Sequence, residues 1–252
     1  MPLSRRAFLE TAASALALPA VWHCGRAFTE PGIGDPRLSA RPGLPTVSPT
    51  IGLTELGLGS ARDGWLWVPT GYVADTPAPL VLVLHGAGQS ADLWTSYRTR
   101  ADTRGFVLLA PDSRGGTWDV LSSGFGPDVA FLDDALAFTF ARCRIDPGRI
   151  ALAGFSDGAS YALSLGVSNG DLFTHLIAYS PGFLRPTEPL VGKPPVFVSH
   201  GTADPILAYG NTRNDIVPRL RDEGYTVTFE SFDGGHTVPA EISEQALDWF
   251  AS

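Results

Sequence analysis

Residues Gly154-Phe155-Ser156-Asp157-Gly158 stand between an apolar run, Arg149-Ile-Ala-Leu-Ala, and a run of helical character, Ala159-Ser-Tyr-Ala-Leu-Ser-Leu. A serine on so tight a strand-to-helix turn needs neighbours without bulk two positions either side, because the backbone is strained there and the flanking segments pass close together. The pattern therefore asks for a strand, a sharp turn and a helix in that order, with the hydroxyl lifted off the strand's end. Three further segments follow a matching logic. Pro79-Leu-Val-Leu-Val-Leu-His85-Gly-Ala-Gly88 reads as a buried strand running into a glycine-bearing loop. Val196-Phe-Val-Ser-His200-Gly-Thr-Ala-Asp204 is an apolar strand that ends near a carboxylate. Tyr225-Thr-Val-Thr-Phe-Glu-Ser-Phe232 leads to Asp233-Gly-Gly-His236, a histidine in a loop before a last helix.

From Ile51 onward, short apolar strand candidates alternate with longer amphipathic segments, the signature of a mostly parallel central sheet with helices on both faces. The pattern predicts strands near 64–68, 80–84, 106–110, 149–153, 174–179, 195–200 and 225–231. It predicts helices near 90–102, 128–142, 157–168, 210–223 and 239–251. In the second of these, Phe131, Ala135 and Phe138 recur at helical spacing, and Gly105 is placed to stop the first. These spacings leave no room for a large lid domain. The longest irregular stretches, 111–127 and 181–194, are candidate pocket walls. No repeat of 20 to 50 residues is visible, which excludes solenoids and propellers.

Ser156, Asp204 and His236 in that chain order match the α/β-hydrolase arrangement of a nucleophile, an orienting acid and a general base. With the segments Leu84-His85-Gly86-Ala87-Gly88, Ala110-Pro-Asp112-Ser-Arg-Gly, Gly154-Phe-Ser156-Asp-Gly158, His200-Gly-Thr-Ala-Asp204 and Gly235-His236, the chain over about residues 51–252 resembles the small serine esterases of the α/β-hydrolase superfamily. Within it the likeness is to the phospholipase/carboxylesterase group and the related polyhydroxybutyrate depolymerase and feruloyl esterase group. The resemblance implies an α/β-hydrolase fold and hydrolysis of a carboxylic ester through an acyl-Ser156 intermediate. It further implies an oxyanion hole made by the backbone amides of Ala87 and Asp157. Gly88 is an alternative to Ala87, and Asp233 and Asp215 compete with Asp204 as the acid. His85 and His200, each before a glycine at a strand end, are expected to order loops by hydrogen bonding. Trp118, Phe125 and Tyr209 lie in or beside loops after strands and are candidates to line a substrate pocket, with core packing as the alternative. Which ester is cleaved stays open, as does transfer of the acyl group to an alcohol instead of water; a binding module on a hydrolase scaffold is a third reading.

No Cys/His/carboxylate cluster has metal-ligand spacing and no phosphate-binding glycine loop occurs, so neither metal nor cofactor is expected. A length of 252 residues with 44% hydrophobic composition suits one α/β domain with a sizeable core. The net charge of −8, with no basic run beyond Arg5-Arg6, argues against nucleic acid or an anionic membrane surface as a partner. Residues 1–24 have the basic start and moderately apolar stretch of a bacterial export leader, and Arg5-Arg6 ahead of Phe8-Leu9 resembles the twin-arginine signal. That implies the twin-arginine machinery as a partner and a periplasmic or extracellular destination, with the cleavage site open. Residues 25–50, rich in Pro and Gly, read as a linker ahead of the catalytic domain at 51–252. Cys24 and Cys143 leave a disulfide, or lipidation of Cys24, open.

Overall fold

The computed structural model describes residues 34–252 except 60, 122 and 123; the leader and Cys24 lie outside the described residues. An eight-stranded sheet runs in the order β1-β2-β4-β3-β5-β6-β7-β8. Its strands are β1 (Gly52–Glu55), β2 (Gly64–Val68), β3 (Ala78–Leu84), β4 (Val107–Pro111), β5 (Ile145–Phe155), β6 (His175–Tyr179), β7 (Val196–Gly201) and β8 (Val227–Phe232). The first two strands pair antiparallel, β2 to β4 as well, and all later pairings are parallel. A parallel sheet needs crossover helices, and these cover both faces. The period-two pleat then explains why β3 is apolar at successive positions. Leu80, Leu82 and Leu84 enter one core with residues of α2 (Pro127–Arg142), α3 (Asp157–Gly166) and α5 (Val217–Asp222), while Val81 and Val83 enter another with α1 (Tyr97–Arg104) and α6 (Ala240–Ala251).

Each predicted strand is present, but the short edge strand β1 escapes the sequence pattern because its four residues alternate between half-buried and exposed and follow a Pro-rich stretch. The helix expected over 90–102 divides into a 3-10 turn, Ala91–Trp94, and α1. Ser90 and Asp112 accept from the turn's first amides and the Thr95 hydroxyl donates back to the Asp92 carbonyl, side-chain bonds that compete with a continuous helix. Gly105, at φ 73°, closes α1 as the sequence requires. The helix expected over 210–223 is likewise divided, into α4 (Tyr209–Asn211), a π-helical segment Thr212–Ile216 and α5. Pro218 lies just beyond that segment, and with no N–H and a ring that crowds the preceding turn it favours such a widening. Among the described residues no lid domain is inserted between strands, and no helix is long and apolar enough to cross a membrane.

The expected linker needs correction over its described part. Residues 34–50 form no helix or strand, yet they are strapped to the domain. Leu38, 2% exposed, is part of the core. Its amide donates to Asn169 Oδ1, whose amide nitrogen donates to the Pro36 carbonyl. The Ser39 and Ala40 amides donate to Asp133 Oδ1, and Arg37 and Arg41 both pair with Asp171. Proline and glycine excluded regular structure here without excluding burial. Cys143 is fully buried, and burial pushes its thiol up to about 12.

Candidate functional site

β5 delivers Ser156 to the turn before α3, with φ 58° and ψ −120°, a region a side chain rarely occupies. The flanking glycines make that turn possible. A Cβ on Gly154 would lie 2.2 Å from the Gly158 carbonyl oxygen, and one on Gly158 would lie 2.4 Å from the Leu84 oxygen. Ser156 Oγ is 2.8 Å from His236 Nε2, and His236 Nδ1 is 2.6 Å from Asp204 Oδ2. Asp204 Oδ1 accepts from the amides of Ile206 and Leu207 at 2.8 and 2.9 Å. Burial opposes its ionisation, but the His236 bond and these two amides outweigh it and hold the carboxyl below the usual range. His236 makes no hydrogen bond to Asp233 or Asp215 among the described residues, so of the three candidate acids Asp204 is the one in place. The Phe155 ring lies against His236, centroids 4.7 Å apart.

The glycine-bearing loop after β3 faces this group. The Gly86 amide donates to Gln89 Oε1 and the Gly88 amide to the Gly116 carbonyl, whereas the amides of Ala87 and Asp157 donate to no protein acceptor among the described residues. Ala87 rather than Gly88 therefore has an available donor. His85 orders the loop as expected. The Ser113 amide donates to its Nε2, leaving Nδ1 to donate to the Gly86 carbonyl, and burial lowers its pKa so that the ring stays neutral. Arg62 donates to the Ser113 and Gln89 carbonyls, and the Thr117 hydroxyl to Asp157 Oδ2. A reciprocal clasp fixes the Thr117 segment: Asp128 accepts from the amides of Arg114 and Asp119, and Asp119 from those of Gly126 and Asp128.

For Trp118 and Phe125 the pocket expectation gives way to its packing alternative, and Tyr209 is not among the residues that line the cavity beside His236. Trp118 is fully buried, donates to the His85 carbonyl and lies between the His85 and Tyr161 rings. Phe125, 5% exposed, packs on Tyr161. Tyr209 stacks on Phe229 and meets His200 edge-on. The cavity beside His236, about 530 Å³, is lined by Leu93, Trp94 and Tyr97 together with Gln89, Phe155 and Val238. It is not built from the long loops 111–127 and 181–194. Leu93, Trp94 and Tyr97 carry no local sign in the sequence that they border a cavity. Gln89, Thr117 and Arg62 went unnoticed because polar residues in loops carry no periodicity. Among the described residues no group of three His, Cys, Asp or Glu side chains could hold a metal ion.

The parallel sheet, the helices on both its faces and the serine turn at the end of β5 define the chain as an α/β-hydrolase-fold protein. A crystal structure of esterase PE8 superposes with a TM-score of 0.60 at 21% identity, covering 80% of this chain and 99% of that one. Acyl-protein thioesterase 1 of Neurospora crassa is 33% identical over 214 residues, 67% of this chain and 84% of the relative. The chain belongs to that family, the serine esterases of the phospholipase/carboxylesterase group. Feruloyl esterase B of Thermothelomyces thermophilus is 30% identical over 116 residues, 42% of this chain and 40% of the relative. The chain spans between 22% and 54% of the length of four such curated relatives. No family model matches the chain.

Proposed function

We propose that the protein is an exported serine carboxylic ester hydrolase. The observation that carries this reading is the unbroken hydrogen-bonded line from Asp204 through His236 to a serine on a strained, glycine-flanked turn. As Ser156 Oγ bonds to the ester carbonyl carbon, its proton passes to His236 Nε2, and Asp204 holds the ring and balances the imidazolium. The carbonyl electrons move onto oxygen, which the Ala87 and Asp157 amides receive; the second amide opens α3, where the helix dipole adds to its effect. Collapse expels the alcohol, which takes the proton from His236, and leaves acyl-Ser156. Water then repeats the sequence, giving the acid and free serine. The cavity beside His236 is suited to one of the ester's two halves.

A fluorophosphonate probe should label the parent and not Ser156→Ala, and Ser156→Ala should lose nearly all turnover of p-nitrophenyl esters. Labelling or turnover within tenfold of the parent in that variant would overturn the assignment. A chain-length series with feruloyl and hydroxybutyrate esters and an acyl thioester beside it identifies the substrate, and product analysis with added alcohol separates hydrolysis from acyl transfer. Export is proposed on Arg5-Arg6 ahead of Phe8-Leu9. Changing Arg5-Arg6 to Lys-Lys should retain activity in the cytoplasm of a bacterial host, and undiminished activity outside it would refute the twin-arginine route.

A further inference from the structure

Two histidines, not one, converge on the acid. Asp204 Oδ2, which lies 2.6 Å from His236 Nδ1, also lies 3.1 Å from His200 Nε2. Both His200 and the Asp204 carboxylate are fully buried. His200 Nε2 is within 2.9 Å of the Leu207 carbonyl as well, so the atom faces two acceptors and must carry a hydrogen. On the ring's other side, the Thr212 hydroxyl lies 2.8 Å from His200 Nδ1 and 3.0 Å from the Pro181 carbonyl, two acceptors between which its one hydrogen is divided. Thr212 opens the π-helical segment, so the widened turn brings a hydroxyl to this ring. The titratable groups around His200 are Asp204 and His236 from two loops and Tyr209, whose ring centroid is 6.0 Å away. Burial keeps the ring neutral against the Leu207 carbonyl and Asp204, leaving one hydrogen for it to donate.

We infer that His200 is a positioning residue for the ester hydrolysis proposed above, anchored by Thr212, which fixes the Asp204 carboxylate and shares its charge with His236. The inference rests on that reading of Ser156, Asp204 and His236. Its consequence has a sign. Without the His200 donor more of the Asp204 charge acts on His236, the imidazolium is held more firmly, and the acidic limb of kcat/KM moves to higher pH.

Two substitutions separate this from a structural role. In His200→Gln the side-chain amide nitrogen occupies the place of Nε2 and keeps the bond to Asp204; in His200→Asn it reaches only to the place of Nδ1, towards Thr212. His200→Asn should lower kcat about tenfold with little change in KM and raise the acidic limb by roughly half to one pH unit, the scale of one lost hydrogen bond to a charged group. His200→Gln should restore the limb and most of kcat. Thr212→Val, which frees the ring from its other side, should move the limb the same way by less and covers the case in which His200→Asn fails to fold. Equal losses in Asn and Gln variants that melt like the parent, with the limb unmoved, or an unmoved limb in Thr212→Val, would overturn the inference. Turnover that survives Ser156→Ala in parallel would instead overturn the reading beneath it.

Discussion

The close approach of the serine turn to the end of β3 provides a quantitative test. Gly158 lies in the first turn of α3, and an alanine there would put its Cβ 2.4 Å from the Leu84 oxygen and 2.5 Å from the His85 oxygen. Both obstacles are backbone, so no side chain can swing aside. Ordinary contact begins near 3.4 Å, and the start of α3 must recede from the end of β3 by about 1 Å. Overpacking of this kind costs about 1–3 kcal/mol, partly offset by the roughly 0.5–1 kcal/mol that alanine gains over glycine in a helix. Net destabilisation of about 0–2.5 kcal/mol should lower Tm by no more than about 10 °C in a domain of this size. The catalytic loss should be far larger. Ser156 and the Asp157 amide ride on the displaced turn, while Ala87 follows the strand they move away from, and a misplacement of about 1 Å costs roughly a hundredfold in rate. Gly158→Ala is therefore expected to fold and melt cooperatively with kcat/KM on a p-nitrophenyl ester down about a hundredfold. Gly71→Ala, where nothing lies within 4 Å, is the matched control and should leave both unchanged. A Gly158→Ala enzyme within tenfold of the parent would show that the turn absorbs the added carbon and that this close approach does not set the geometry.

Ser156→Gly and Ser156→Ala should both be inactive, but the glycine variant should be about 1 kcal/mol more stable by denaturant titration. Alanine keeps the strain of φ 58° and glycine releases it, so equal stabilities would argue against strain. Asp128→Asn turns an N–H donor towards the part-buried amide of Arg114 or the buried amide of Asp119, and should cost about 1–3 kcal/mol. Burial, with the neighbouring Asp119 charge, raises Asp128 up to about 6 in the fold, so the stability its protonated form contributes is complete below 3.8 and is lost as pH rises through about 6. The parent's advantage over Asp128→Asn in Tm should shrink across that window, and an advantage that grows there would contradict the raised value. Leu38→Ala should cost about 2–5 kcal/mol as a core truncation, and a loss well below 1 kcal/mol would show that the strap is dispensable.

The periodicity of β3, β5 and β7, the glycines about Ser156 and the order Ser156, Asp204, His236 were legible from sequence because each rests on short-range physics. Alternation and helical spacing report which positions are buried, and a sharp turn excludes side chains wherever it occurs. The choice of acid was not local. Asp233 is nearer His236 in sequence, yet Asp204, 32 residues away, supplies the oxygen at 2.6 Å. Likewise Ala87 and Gly88 became distinguishable only once Gly116 accepted the Gly88 amide. Trp118 and Phe125 could serve a cavity or a core, and the folded chain put both in the core and walled the cavity with Leu93, Trp94 and Tyr97. Composition likewise could not distinguish a free linker at residues 34–50 from one strapped to Asn169, Asp133 and Asp171. A residue's own neighbours fix its backbone and its preference for burial, but hydrogen-bond partners and cavity walls come from segments brought together by the packing of helices on the sheet, and only the tertiary structure decides which they are.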